Sequence, residues 1–435
     1  MPQVPRGIPS PPPPPSSQPR LSAIAALGAF ACALLVAGCA SAPKEPPKGE
    51  ALSCPQAQPP VCPPPAAIPP VATPSPAIDS RGKLEPASWN DIPDWGRESL
   101  RASLEAFSRS CTVLEKQAPW KAVCAGAQTL AGAGERDIAS FFELNFDPYR
   151  VVNTDGTDTG LVTGYYEPLL RGSRKRSARY RYPLYAVPAD LLTIDLSSVY
   201  PDLKNRRLRG RIEGNRVVPY FARGDIDRDD TPIRGSELVW VDDAVDAFFL
   251  HIQGSGQVEL ESGERLRVGY ADQNGYPFRS LGRVLIQRGE IPAERASMQG
   301  IKDWVRRNPA RAQEALNTNP SYVFFRELPR DLPGPLGALG VPLTPEASIA
   351  VDARVVPLGV PVYLATTWPN TNEALNRLMV AQDTGGAIAG GVRADFFWGF
   401  GEAAGNQAGK MRQSGRMWVL LPKGHAPPAG DAKAP

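Results

Sequence analysis

Between residues 97 and 117 the apolar side chains Leu100, Leu104, Phe107, Cys111 and Leu114 recur at steps of four, three, four and three, the stripe of a helix with one buried face. A second helical stretch over 135–144 presents Ile138, Phe141 and Phe142 in the same way. Beyond it the period shortens. Extended runs are predicted at 161–167, 182–187, 238–241, 247–253, 257–260 and 265–270, the last two flanking a turn at Glu261, Ser262, Gly263 and Glu264. Helices return at 280–288, at 297–307 with Ser297 as the cap, and at 309–316, where Asn308 and Pro309 form a start signal. Further extended runs fall at 322–326, 348–352, 362–366, 378–382 and 417–421. Many short strands with few helices imply a mainly β fold of one or two small barrels.

The two ends read differently. Residues 1–38 hold Arg6 and Arg20, a run of five prolines, and an uncharged apolar stretch over 21–37. That stretch falls short of the roughly 20 apolar residues of a spanning helix and fits a secretory signal. Its boundary, Val36-Ala37-Gly38-Cys39, resembles the bacterial lipobox, which implies lipidation of Cys39 and a membrane anchor. Ala40 follows rather than an aspartate, and by analogy with lipoprotein sorting this points to the periplasmic face of the outer membrane. Residues 39–86 are proline-rich, a semi-rigid tether of up to ~3.1 Å per residue. Residues 424–435 form a Pro/Ala/Gly tail with little apolar surface to bury.

Charge and composition narrow the chemistry. The net charge is +3, and loss of the leader with its two arginines leaves about +1, which argues against nucleic-acid binding through a basic surface. Only His251 and His425 are present, so no His-based zinc site is expected and metal chemistry is set aside. Gly254-Ser255-Gly256 lacks the third glycine of a dinucleotide fingerprint, and no P-loop occurs, so no cofactor is expected. Of six cysteines, Cys32 leaves with the signal, Cys54 and Cys62 lie in the tether, and Cys111 and Cys124 fall in the first folded segment. An oxidising compartment would let that last pair form a disulfide, with two buried thiols as the alternative.

Candidate chemistry concentrates in residues 381–401, AQDTGGAIAGGVRADFFWGFG, where Asp383 and Asp395 bracket a glycine-rich loop. A third aspartate, Asp352, closes the earlier run IAVD. Carboxyls held together in a cleft resist ionising at once, so one can stay protonated and act as a general acid. Loop aspartates also serve as turn formers and helix caps, and spacing alone leaves both readings open.

Together with TGYYEP (163–168), YPLY (182–185), FFLHIQGSG (248–256), YADQNGYPFRSLGRVLIQRGEI (270–291) and NPSYVFFR (319–326), this segment resembles the MltA family of membrane-bound lytic murein transglycosylases. The resemblance runs from about residue 89 to 422. It implies a double-psi β-barrel from residues 87–165 and 326–423, with a 3D segment at 347–422, and a second β-barrel inserted at 166–325. Glycan strands of peptidoglycan would lie in the groove between them, and a cell-wall synthesis complex is left open as a further partner. The family's catalytic aspartate maps onto Asp395, with Asp383 and Asp352 as companions. The implied reaction cuts the β-1,4 bond between N-acetylmuramic acid and N-acetylglucosamine and closes a 1,6-anhydro ring, one carboxyl serving as acid and then as base. Two rivals stand beside it: a hydrolytic muramidase with paired carboxylates, and a non-catalytic peptidoglycan-binding module.

Thr163, Tyr165, Tyr166, Gln253, Gly254 and Ser255 are candidate substrate contacts. For the tyrosines the alternative is packing in the seam between domains, since adjacent strand residues face opposite ways. For 253–255 the alternative is turn formation. Glu167 reads as structural and His251 as a packed strand residue. Arg279 would meet either a peptide carboxylate or, preferentially, an internal acid.

Overall fold

The computed structural model describes residues 82–425 except 204, 205 and 207, so the signal, Cys39, nearly all of the tether and most of the tail lie outside the described residues. Strand β1 (Lys83–Pro86) is followed by helices α1 (Arg101–Leu114), α2 (Ala118–Gln128) and α3 (Glu135–Asn145), then β2 (Phe146–Val152) and β3 (Gly160–Glu167). The middle of the chain holds β4 (Leu169–Ser173), β5 (Tyr182–Tyr185), β6 (Leu192–Thr193), β7 (Arg209–Glu213), β8 (Arg216–Pro219), α4 (Arg223–Ile226), β9 (Glu237–Val241), α5 (Ala244–Gln253), β10 (Ser255–Leu260) and β11 (Arg265–Gln273). Helices α6 (Leu281–Gln287), α7 (Met298–Arg307) and α8 (Ala312–Asn317) then lead to β12 (Val323–Leu328). The last part contains β13 (Ser348–Val351), β14 (Pro361–Thr367), β15 (Ala374–Asp383), β16 (Arg393–Phe400), α9 (Gly401–Ala408) and β17 (Arg412–Pro422).

Both ends of this stretch build one sheet in the order β1-β2-β17-β14-β15-β13-β16-β3. The first part of β17, Arg412 to Gly415, also pairs with β3, so β17, β14, β15, β13, β16 and β3 close on themselves as a barrel. Two of its pairings are parallel, β13 with β15 and β16 with β3, so the barrel is mixed. A second sheet has the order β12-β11-β10-β4-β9-β5, and β6, β7 and β8 form a third. The fold is mainly β, with helices set against the sheets.

Helix α1 buries Leu100, Leu104, Phe107, Cys111 and Leu114, the whole of its apolar stripe, in the barrel's core. Cys111 and Cys124 are bonded across α1 and α2, with Cα atoms 5.4 Å apart. The turn between β10 and β11 carries Gly263 at φ 80°, a left-handed conformation open to glycine.

Strands β1, β2, β4, β6, β7, β8 and β16, the last carrying Asp395, and helices α4 and α9 have no forecast in the sequence reading, and two further elements depart from it. Residues 247–253, expected as a strand, belong to α5, because a short apolar run suits a buried helix as well as a strand and the ends decide. Asp243 accepts from the backbone of Val245 and Asp246 as an N-cap, and Gly254 at φ 79° terminates the helix. His251 therefore lies on a helix, packed against Tyr322 and Phe325. Helix α2 had no forecast: its Ala- and Gly-rich sequence shows little stripe, although Pro119 sits in its first turn.

Candidate active site

Side-chain alternation around the barrel decides what its outer face presents. On β3, Val162 and Tyr166 join the barrel core, whereas Thr163 and Tyr165 point the other way. On β13 Ile349 and Val351 are core and Ala350 is outward; on β16 Ala394 and Phe396 are core and Asp395 and Phe397 are outward. Register then aligns a row across four strands: Asp383 opposite Ala350, Ala350 opposite Asp395, and Asp395 opposite Thr163. Strand spacing puts the two aspartate Cα atoms about 10 Å apart, with only the Ala350 methyl between them.

Asp383 reaches that row through a bulge. Between Ile349 and Ala350 the pairing shifts from Ala381 to Asp383, skipping Gln382. Gln382 is fully buried, accepts from Ser348 Oγ at 2.5 Å, and donates to the Ala106 carbonyl and to Ser110 Oγ. Those bonds fix the inserted residue and leave Asp383 in register with Ala350.

The floor beneath the row is apolar: Tyr165, Leu343, Ala350, Ile388 and Phe397 form one cluster, with the Tyr165 and Phe397 rings 5.1 Å apart. Both carboxyls remain partly exposed. Burial pushes Asp383 up to about 6, and the charge of Asp395 adds to it, while backbone N–H groups of Thr384 and Ala338, each 2.9 Å from Oδ1, pull the other way. Burial likewise raises Asp395, opposed by the Thr163 hydroxyl, which donates to Oδ1 at 2.6 Å, and by the Arg393 charge. The Arg393 guanidinium itself donates to Thr163 Oγ1 at 2.9 Å and to backbone carbonyls, so Thr163 stands between arginine and aspartate. Tyr165 stays a protonated phenol, raised by burial and then by Asp383 and Asp395. Its hydroxyl has good hydrogen-bond geometry with no group among the described residues, although it is near enough to Asp383 to ease that carboxyl's ionisation.

Asp352 is set differently. Arg354 grips both of its oxygens at 2.7 Å, and Gly390 N–H donates to Oδ2 at 2.9 Å. Burial would raise this carboxyl, but those donors outweigh it and hold it below the usual range. Asp352 is an ionised anchor for the glycine-rich loop.

Of the other candidates, Tyr166 is buried with its hydroxyl on Met298 Sδ, and its ring lies where a Cβ on Gly405 would come within 2.8 Å. Gln253 Oε1 accepts from Tyr166 N–H, tying α5 to β3. Ser255 begins β10 and is partly exposed. Glu167 is buried beside Arg267 and Gln257, a structural setting at the point where the chain passes from the first sheet to the second. Three concavities among the described residues are lined by other side chains. No cluster of metal-ligating residues occurs among those residues.

Fold and site together define an enzyme built on a mixed β-barrel that carries carboxylates on one face and is joined to a second sheet. Residues 161–326 match the MltA specific insert domain and residues 347–421 the 3D domain. The chain is 33% identical over 308 residues to membrane-bound lytic murein transglycosylase A of Escherichia coli K12, covering 69% of this chain and 74% of that protein. Crystal structures of MltA from Neisseria gonorrhoeae (39% identity, TM-score 0.68, 79% of this chain and 94% of that one) and of E. coli MltA with bound chitohexaose (27%, 0.60, 79% and 94%) share the fold. This chain belongs to the MltA family.

Proposed function

We propose that the protein is a lytic transglycosylase that cleaves the β-1,4 bond between N-acetylmuramic acid and N-acetylglucosamine in peptidoglycan and leaves 1,6-anhydro-muramyl ends. The carrying observation is the setting of Asp395: partly exposed on an apolar floor, its proton affinity raised by burial, with one hydroxyl donor at 2.6 Å. Protonated, it gives its proton to the glycosidic oxygen as positive charge builds at the muramyl anomeric carbon. Ionised, and steadied by Thr163, it takes the proton of the muramyl carbon-6 hydroxyl as that oxygen closes the ring. A nucleophile within the same sugar has a high effective concentration, which removes the need for a second carboxyl to position water. In this reading Asp383 supplies negative charge beside the developing cation, and Asp352 positions the 384–391 loop without exchanging protons.

Thr163, Tyr165 and Ser255 are the proposed sugar contacts, while Tyr166, Gln253 and Gly254 hold the seam that sets the groove. The double-psi topology, an inserted domain at 166–325, lipidation of Cys39 and placement on the periplasmic face of the outer membrane belong to the same proposal. Support comes from the sheet membership of β1–β3 and β13–β17 on one hand and β4–β12 on the other, and from the chitohexaose held by the E. coli relative.

The nearness of Asp383 favours one rival, hydrolysis by a carboxylate pair, because their separation leaves room for a water. Mass spectra of digested sacculi decide: anhydro ends are expected, and uniformly reducing ends would overturn the mechanism. Asp395→Asn should abolish release of soluble fragments while retaining binding to insoluble peptidoglycan, which also tests the non-catalytic reading.

A further inference from the structure

The motif around Pro277-Phe278-Arg279-Ser280 is not used by the chemistry above. It borders a concavity of about 470 Å³, lined among others by Phe278, Arg279, Ser280, Arg283, Val284 and Thr318, with no acidic residue in its wall. The volume falls in the range of small-ligand sites. The internal ion pair expected for Arg279 is not made: neither Arg279 nor Arg283 meets a carboxylate among the described residues. Several other arginines of the inserted segment are paired, as Arg174 with Glu327, Arg209 with Asp272 and Arg288, which also lines this concavity, with Glu314, whereas Arg216, Arg295 and Arg326, like Arg279, meet no carboxylate among the described residues. Both line the concavity, so an arriving anion would meet two arginines that hold no carboxylate of their own.

The platform is rigid. Arg279 N–H donates at 3.0 Å to Asn319 Oδ1, and Asn319 is 2% exposed. Ser280 Oγ caps α6 by accepting from Arg283 N–H. At Gly282 a Cβ would sit 3.2 Å from the Ala296 carbonyl and 3.7 Å from Ile301, so α6 lies close on α7. Helix α7 begins at Met298, the partner of Tyr166, so this frame reaches the strand that carries Thr163. Phe278, 40% exposed, adds an apolar surface beside the charges.

We propose that the Arg279–Arg283 concavity binds a carboxylate of the peptide carried by the muramyl sugar, making it a peptide subsite that the aspartate row lacks. This rests on the glycan-cleavage reading for its ligand. Two guanidinium forks suit a carboxylate, and the apolar flank suits the peptide's alkyl side chains.

The test uses the full chain, with peptidoglycan strands bearing their peptides and the same strands stripped by an amidase. The double variant Arg279→Ala, Arg283→Ala should raise KM on peptide-bearing strands roughly tenfold, leave kcat unchanged, and leave both constants unchanged on stripped strands. Replacing the same two residues by Lys should restore most of the loss. In parallel, fluorescence anisotropy of a labelled free muramyl tripeptide should report binding to the wild type and not to the double Ala variant. Equal losses on both substrates, no loss on peptide-bearing strands, or displacement by inorganic phosphate as effective as by unlabelled peptide would each overturn the proposal. If the wild type cleaves neither substrate, the glycan-cleavage reading fails, and the anisotropy result still decides whether the peptide subsite exists.

Discussion

Replacing Asp383 by Asn keeps the shape of the side chain and removes its charge, so it reads the energy held at this position without reference to activity. The carboxyl is pushed up to about 6 from 3.8, first by burial. Because the folded value lies above the unfolded one, the folded protein binds more protons between the two. Stability is therefore highest below the unfolded value and falls as pH rises through the folded value. Roughly two units correspond to about 3 kcal/mol at a pH above both, and partial exposure of the side chain reduces this to about 1–2 kcal/mol. Asn keeps an oxygen for the N–H groups of Ala338 and Thr384, so neither donor is orphaned. Asp383→Asn should accordingly be more stable than the wild type by about 1–2 kcal/mol near pH 8, by urea unfolding of the oxidised protein, and equal to it near pH 3.5. A variant no more stable at pH 8, or a gain that persists at pH 3.5, would refute the claim that a buried charge strains this site.

Three further outcomes are expected. Thr163→Val removes a charge-assisted hydrogen bond that favours ionised Asp395, so the alkaline limb of the pH–rate profile should move to higher pH; an unmoved or lowered limb would mean that Arg393, not Thr163, governs this carboxyl. Cys111→Ser opens a loop of sequence separation 13 and should lower unfolding stability by about 3 kcal/mol, an effect that reductant should reproduce in the wild type and not in the variant. Cys39→Ala should shift the protein from the membrane pellet to the soluble fraction, and retention in the pellet would count against the anchor.

Local signals were reliable where one face of an element is buried against a continuous core. The α1 stripe is legible because every fourth or third residue from Leu100 to Leu114 meets the same barrel wall. They failed where apolar residues are dense on all sides, as in the run Phe248-Phe249-Leu250, for which strand and helix give the same pattern. The caps of α5, Asp243 and Gly254, were the available signal, since capping chemistry distinguishes the two where periodicity does not. Unpaired Arg279 was hidden for another reason: whether an acid stands opposite a given arginine is a long-range fact that no local spacing records.

By itself, the sequence determined the mainly β class, most of the helices and the aspartates worth attention, because side-chain alternation, capping and residue type are properties of neighbours along the chain. Only the tertiary structure separated those aspartates. Asp383 and Asp395 share one outer row because a bulge at Gln382 and the register of four strands bring them there, while Asp352 turns to Arg354. Proton affinity depends on burial and on charges brought near by folding, so residues alike in sequence became a raised pair and a fixed anion only when the barrel closed.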